Sequence, residues 1–526
     1  MEQFLEIETL VILLLLVVSV VAMMVRRIRL PYTVALVLVG LFITFEHPVA
    51  LEITPELIMA LFVPPLIFQA AFHLELRDLR HNLVPIALLS VPGVIISTLI
   101  VGGIVAVGVG LPLAIAAVFG ALISATDPVA VVALFRTLGV SRRLAVAVEG
   151  ESLFNDGTAI VIYQLALAAA ISGVFNPIDG VFAFLLVAVG GFGIGVGLGW
   201  VASRLIAQID DYFVEITLTT VLAFGSYLVA EQLHVSGVLA VVAAGIVAGN
   251  MSPQGMSPTT KIVLFNFWEY LAFLSNSLVF LLIGLRIDVH SLITHLPPIG
   301  VAVGAVLISR AIVVYGLLWL SGHFRNSAHV PLSWQHVLFW GGLRGAIGLA
   351  LALSLPLALP ERGLLEVMAF GVVLFTLVVQ GSTIQFLLKH LGLSDKPVQI
   401  VARERRLGRL YAVQAGMHYL TEMRQDGLLS QDVSDALRSE YERANEKLTE
   451  EMAQLFTRHA DLEREVLLQT RRELLQAERG ALGDALRQSL ISEDVFQELV
   501  TDVDRRLEAL EIISLHAMPA QVTPEI

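Results

Sequence analysis

Two short polar runs interrupt segments that are otherwise apolar enough to cross a bilayer: Ser124-Ala-Thr-Asp-Pro128 and Glu149-Gly-Glu-Ser-Leu-Phe-Asn-Asp-Gly157. An ionisable side chain in such surroundings is costly, so its presence marks a functional site by default. Asp127 and Asp156 are the pair that stands out. Pro128 lacks an N–H and disfavours helical geometry for the residue before it, which predicts a break in the helix at Asp127. A broken helix at membrane depth frees backbone carbonyls that can coordinate a cation. Glu151 and Asn155 are four apart, as are Ser152 and Asp156, so all four share one helical face. Gly150 and Gly157 thin that helix for a close neighbour.

Carboxylates at 127 and 156, the Ser152 hydroxyl and a freed carbonyl near Thr126 make a small hard-oxygen set suited to a dehydrated alkali cation such as Na+. A carboxylate removed from water binds a proton more readily, and a cation beside it releases that proton. The same group therefore holds a proton or a cation, and poorly both. Mutually exclusive occupancy of this kind is the physical basis of an exchanger. A single buried acid cluster differs from the symmetric filters and charged rings of channels, which makes a cation channel the weaker alternative. Na+, K+ and Li+ differ in size, and the residue types leave the choice among them open.

The 526 residues have a mean hydropathy of +0.80; 56% are hydrophobic and 15% charged. That composition describes a polytopic membrane protein. Residues 1–394 hold 16 Lys and Arg and 21 Asp and Glu, and 395–526 hold 17 and 25, so a domain boundary falls near Ser394. The 1–394 part reads as the transmembrane domain and 395–526 as a cytoplasmic helical domain. Cysteine is absent, which excludes disulfides, iron–sulfur clusters and thiolate zinc sites. No cofactor motif, catalytic motif or nucleic-acid-binding face is present, so the chain does not read as an enzyme.

About twenty apolar residues are needed per helical span, and thirteen such segments fit. They lie at about 5–25, 31–46, 54–74, 82–109, 112–136, 143–171, 178–207, 212–230, 235–250, 262–285, 296–321, 334–357 and 363–390. The first lacks a basic leader and a cleavage site and reads as a retained span. Loops after odd-numbered spans carry Arg26, Arg27, Arg29, Arg77, Arg80, Arg136, Arg142, Arg143, Arg204, Lys261 and Arg325, against Arg286 and Arg362 after even-numbered ones. By the positive-inside rule the N-terminus lies outside and the tail inside.

A second break is expected in the twelfth span, where Trp340-Gly-Gly-Leu-Arg-Gly-Ala-Ile-Gly348 places four glycines within eight residues. Spans 1–6 and 8–13 then form two six-helix units of opposite direction, as an inverted repeat requires, with the fifth and twelfth equivalent. Arg310, in the middle of the eleventh span, needs a buried acid, and Glu151 is the candidate. Arg344 is expected to neutralise helix ends where the twelfth span breaks, and Asn155 to act as an ion ligand or a helix-positioning group. Glu215, Glu231 and Glu269, nearer span ends, are expected to face water or headgroups, as are His73, His81 and His234. The glycine run from Gly190 to Gly199 reads as a packing face, between helices or between two copies of the chain. In the tail, Leu407 to Arg424, Ser430 to Leu455, Ala460 to Leu482 and Glu493 to Leu510 show helical periodicity, with turns expected at Gly427, Gly480 and Gly483.

At these residues the chain resembles the monovalent cation:proton antiporters, specifically the NhaP-type branch that includes animal sodium/proton exchangers. The matching motifs are Ala125-Thr-Asp-Pro128, Glu151-Ser-Leu-Phe-Asn-Asp156, Arg310 within Leu307-Ile-Ser-Arg, Gly341-Gly-Leu-Arg-Gly-Ala-Ile347 and Val379-Gln-Gly-Ser-Thr383, within about residues 10–390. The resemblance implies an all-α fold of thirteen transmembrane helices, two crossed broken helices, a homodimer in the cell membrane, and elevator-like movement of a core domain. It implies Asp156 as the principal cation and proton carrier, with Asp127, Ser152 and the Thr126 carbonyl around the ion and Glu151 paired with Arg310. Asn155 stands where electrogenic relatives carry a second aspartate, which implies electroneutral exchange. Gln69 stands where many relatives have Glu. The tail falls outside the motifs that carry the resemblance, and its partner is not indicated.

Overall fold

The computed structural model describes residues 2–25, 32–46, 58–174, 176–209, 211–252, 258–286, 289–321, 330–393, 398–426, 428–458, 460–487 and 490–517. Arg26, Arg27, Arg29, Arg325 and Gly427 lie outside them. Helix is the regular structure throughout, and no strand occurs among the described residues. The chain divides into two compact units, Met1–Ser394 and Asp395–Ile526.

The first unit begins with α1 (Glu2–Val25), α2 (Tyr32–Glu46) and α3 (Val63–His73), the last entered through a π-helical turn at Ile58–Phe62. Pro64 and Pro65 sit in the first turn of α3, where a missing N–H costs no helical hydrogen bond. A short α4 (Leu76–His81) connects to α5 (Leu83–Ser90) and α6 (Pro92–Val109). The expected fourth span is present as one apolar stretch, Leu83–Val109, interrupted only at Val91, because Pro92 cannot donate into the preceding turn. Then come α7 (Leu113–Leu122), α8 (Val129–Leu138), α9 (Arg142–Ser172), α10 (Pro177–Ile206), α11 (Tyr212–Gln232) and α12 (Gly237–Met251). Side-chain caps start several of these: Ser141 accepts from Leu144 N–H, Asn176 from Ile178 N–H, Asp211 from Phe213 and Val214 N–H, and Ser236 from Leu239 N–H. After them lie α13 (Pro258–Arg286), α14 (Val289–Thr294), α15 (Leu296–Ser321), α16 (Leu332–Trp340), α17 (Ala346–Leu353), α18 (Arg362–Phe375) and α19 (Gly381–His390), with a π-helical turn at Thr376–Gln380.

Seven of the described helical stretches are long and apolar enough to cross a membrane, and six shorter apolar helices accompany them. They pack as two groups. In one, α6 lies against α7 and α15, α9 against α5 and α7, and α18 against α15 and α17. In the other, α2 lies against α13, α3 against α12 and α13, and α12 against α10 and α11. Close packing of α10 on α12 uses the glycine run, since a Cβ at Gly191 or Gly195 would collide with the backbone oxygens of Ser236 and Ala240. That edge of the stripe is filled from within the chain, while a Cβ at Gly193 or Gly197 would meet nothing within 4 Å.

The expectation that Glu215 faces water or headgroups is corrected, since its side chain is wholly buried. The first turn of α11 is tucked into its own helix group, where one turn further on Trp268 Nε1 donates to Thr219 Oγ1 at 3.2 Å.

The second unit consists of α20 (Val398–Gln425), α21 (Gln431–Arg458), α22 (Ala460–Arg487) and α23 (Glu493–Ala517). Gly416 lets α20 approach the ring of Tyr441 on α21, and Leu475, Val503 and Leu510 form a small core between α22 and α23. Gly480 and Gly483 are inside α22 and do not make the expected turns. Strong helix formers flank both, and each costs only about 1 kcal/mol there.

Candidate functional site

The two broken helices meet. Between α7 and α8 the chain leaves helical geometry over Ile123 to Pro128, and between α16 and α17 over Gly341 to Gly345. Asp127 N–H donates to Leu343 O at 2.8 Å, joining one break to the other. Arg344 Nη1 donates to Ser124 O at 2.8 Å and to Ala125 O at 3.2 Å. Its guanidinium therefore satisfies freed carbonyls of the α7–α8 break, across from its own. The Arg344 backbone N–H donates to Thr376 Oγ1 at 3.1 Å, so the π-helical turn before α19 anchors the second break. Gly345 is required here by contact, because a Cβ on it would overlap the Asp127 carboxylate.

Helix α9 lies across the crossover. Ser152 Oγ donates to Thr126 O. Asn155 Nδ2 donates to Thr126 Oγ1 at 3.3 Å and to Glu151 Oε1 at 3.2 Å. Glu151 accepts both arms of Arg310, at 2.8 and 2.9 Å, and the two residues are 2% and 5% exposed. Arg310 Nη2 also donates to Leu338 O at 2.9 Å, a carbonyl that the end of α16 leaves without a helical partner. The ion pair therefore ties α9, α15 and α16 together. Close approach is allowed by Gly342, where a Cβ would lie 2.6 Å from Arg310 Nε. Gly150 and Gly157 serve α9 likewise, against Ile86 and Leu239.

Asp127 and Asp156 line one cavity of about 780 Å³, together with Thr126, Ser152 and Gln69. One wall comes from α2, α3 and α13, through Thr33, Gln69, His73, Glu269 and Asn276. The facing wall comes from the α7–α8 break, α8, α9, the start of α17 and α19. The cavity thus runs between the two helix groups. The carboxylates differ in what holds them: Asp127 Oδ1 accepts Val129 N–H at 2.9 Å and caps α8. Asp156 faces the backbone of Thr126 and lies within electrostatic reach of Asp127, Glu151 and Arg344.

Of the residues singled out in the sequence, Thr126, Asp127, Ser152, Asp156 and Gln69 reach the cavity. Glu151, Asn155, Arg310 and Arg344 form the buried hydrogen-bonded layer behind it. Thr376, Leu343 and Leu338 were not singled out, since contacts made through a backbone carbonyl or a lone hydroxyl leave no pattern in residue types. Glu149 also lines the cavity, and its spacing of seven from Asp156 places it on the same face of α9.

The sodium/hydrogen exchanger transmembrane family model matches residues 12–390. The chain belongs to the sodium/hydrogen exchanger family. A low-affinity Na+/H+ antiporter of Synechocystis, NhaS1, is 42% identical over 395 residues, 73% of this chain and 75% of that protein. A second Synechocystis Na+/H+ antiporter, NhaS2, is 34% identical over 510 residues, 95% of this chain and 93% of the other. That similarity extends into the tail, well past the motif region. Among solved structures, the sodium proton antiporter MjNhaP1 of Methanocaldococcus jannaschii superposes with a TM-score of 0.62 at 23% identity, covering 74% of this chain and all of that one. That likeness bears on the fold.

Proposed function

We propose that this chain exchanges a monovalent cation, Na+ first among them, for H+ across a cell membrane. The observation that carries the reading is the placement of Asp127 and Asp156 on one cavity between two helix groups, where two broken helices cross. The family membership and the antiporter names of the relatives agree with it.

In this reading Asp156 is the carrier. Asp127 Oδ1 is committed to its own helix, so Asp127 contributes charge and position, and Asp156 alternates between cation and proton. Thr126 O and Ser152 Oγ keep lone pairs free beside their mutual hydrogen bond and complete an oxygen shell with the carboxylates. Glu151 is neutralised by Arg310, and Arg344 offsets some of the carboxylate charge. The uncompensated charges are then those of Asp127 and Asp156, of which Asp156 alone alternates, and a loaded site crosses more easily than an empty one. Asn155 adds no charge, which supports electroneutral exchange of one cation per proton. Movement of one helix group against the other, elevator-like, would turn the cavity toward alternate sides. The full architecture is thirteen spans in inverted six-helix repeats, N-terminus outside and the 395–526 domain in the cytoplasm, assembled as a homodimer in the plasma membrane. Gln69, a neutral group on the cavity wall, favours a second reading of the same cycle in which K+ or Li+ is carried.

The test is purified protein in liposomes with an imposed pH gradient and an internal pH dye. Collapse of the gradient on adding Na+, lost in Asp156→Asn, supports exchange. Cation flux without counter-movement of protons would overturn it in favour of a channel. A panel of Na+, K+ and Li+ decides the substrate.

A further inference from the structure

We infer that Glu149 is a cation-attracting station on the path between the cavity mouth and Asp156, a role that rests on the exchange reading above. Glu149, Ser152, Leu153 and Asp156 all line the cavity, so one face of α9 forms a strip of its wall. Seven residues of helix place Glu149 about 10 Å from Asp156, two turns toward the α9 N-terminus. The charged and titratable groups on the wall are Tyr32, whose hydroxyl lies 2.9 Å from Ser277 Oγ, and His73, Asp127, Arg136, Glu149, Asp156 and Glu269. Most have other engagements. Asp127 caps α8, His73 Nδ1 lies 2.7 Å from Gln69 O, and Arg136 sits 3.9 Å from Glu269 with both side chains open to water.

Glu149 is half-buried and makes no ion pair among the described residues, although Arg136 and Arg142 lie within electrostatic reach. Arg142 is held elsewhere, by Glu75 at 2.6 Å and Asp78 at 2.9 Å. Carboxylates therefore outnumber the wall's guanidinium, and low-dielectric walls concentrate that field on cations entering the cavity. A charge about 10 Å from the carrier, at an effective dielectric constant of about 20 to 40, changes cation occupancy by roughly fourfold to fifteenfold.

The experiment measures the apparent KM for Na+ and for Li+ in liposomes holding the full chain as wild type, Glu149→Gln and Glu149→Asp, at low and high choline chloride. Glu149→Gln should raise KM by roughly fourfold to fifteenfold at low salt, keep the maximal rate within about twofold, and converge on wild type at high salt, where the field is screened. Glu149→Asp should stay near wild type. A Glu149→Gln KM equal to wild type at low salt, or one raised equally at both salt levels, would overturn the inference alone. Absence of exchange in the wild type would overturn the exchange reading and this one with it. Should Glu149→Gln fail to fold, the wild type still decides: its KM must rise with choline, and a KM indifferent to salt contradicts the role.

Discussion

Arg310→Met tests the layer that holds the site. Arg310 makes two charge-assisted bonds to Glu151, at 2.8 and 2.9 Å, and two to Leu338 O, at 2.9 and 3.3 Å. Removing it leaves a carboxylate 2% exposed and a helix-end carbonyl, both without their cation. Breaking a buried pair from one side costs about 3 to 5 kcal/mol, most of it the uncompensated charge. Removing both charges is far cheaper, because apolar side chains of similar volume fill the space without a desolvation debt. Glu151→Met with Arg310→Met should therefore be more stable than Arg310→Met alone, with a coupling of about 1 to 3 kcal/mol. The assay is loss of the monodisperse peak on heating in detergent, run for the four members of the cycle. Additive single effects, or an Arg310→Met indistinguishable from wild type, would refute the reasoning. Exchange should fail in the double variant even where folding is regained, because Asn155 loses its Glu151 partner and with it the position of Thr126.

Other expectations follow from the same geometry. Gly345→Ala drives a methyl group into the Asp127 carboxylate, and exchange should drop at least about tenfold while the protein still reaches the membrane; full activity would show that the crossover has slack. Asn155→Asp removes a donor to Glu151 Oε1, 3.2 Å away, and sets like charges together, which should cost about 1 to 3 kcal/mol; a melting curve in detergent checks it. Ser152→Ala removes an oxygen from the proposed ion shell and should raise the KM for Na+ severalfold with the maximal rate nearly kept; an unchanged KM would exclude Ser152 from that shell. Gln69→Glu should strengthen cation binding and shift the order of preference among Na+, K+ and Li+. An unaltered order would exclude that position from selectivity.

The parts of this molecule that were legible in its sequence are those where a residue type is incompatible with its surroundings. Pro128 and the Gly341–Gly348 cluster forecast interrupted helices from backbone chemistry alone, and Arg310 in mid-span demanded an acid that the Glu151 carboxylate supplies. Tertiary packing left no such mark. Nothing in residue types says that Arg344 serves carbonyls of Ser124 and Ala125, because any freed carbonyl attracts a guanidinium equally well. Glu215 looked like a span-end acid facing water, yet burial depends on which neighbour covers the turn. Gly480 and Gly483 looked like punctuation, yet a long amphipathic helix tolerates two glycines when its other face is packed. The Gly190–Gly199 stripe signalled close approach correctly in kind, while its partner, α12, could be named only once the chain was folded.

The proposed exchange stands on exclusive occupancy of Asp156 by a cation or a proton. Its most direct test is proton release on cation binding: detergent-purified protein in weakly buffered solution with a pH indicator, titrated with NaCl against a choline control. One proton should be released for each Na+ bound, and none in Asp156→Asn. Na+ binding to the wild type with no change in pH would contradict it.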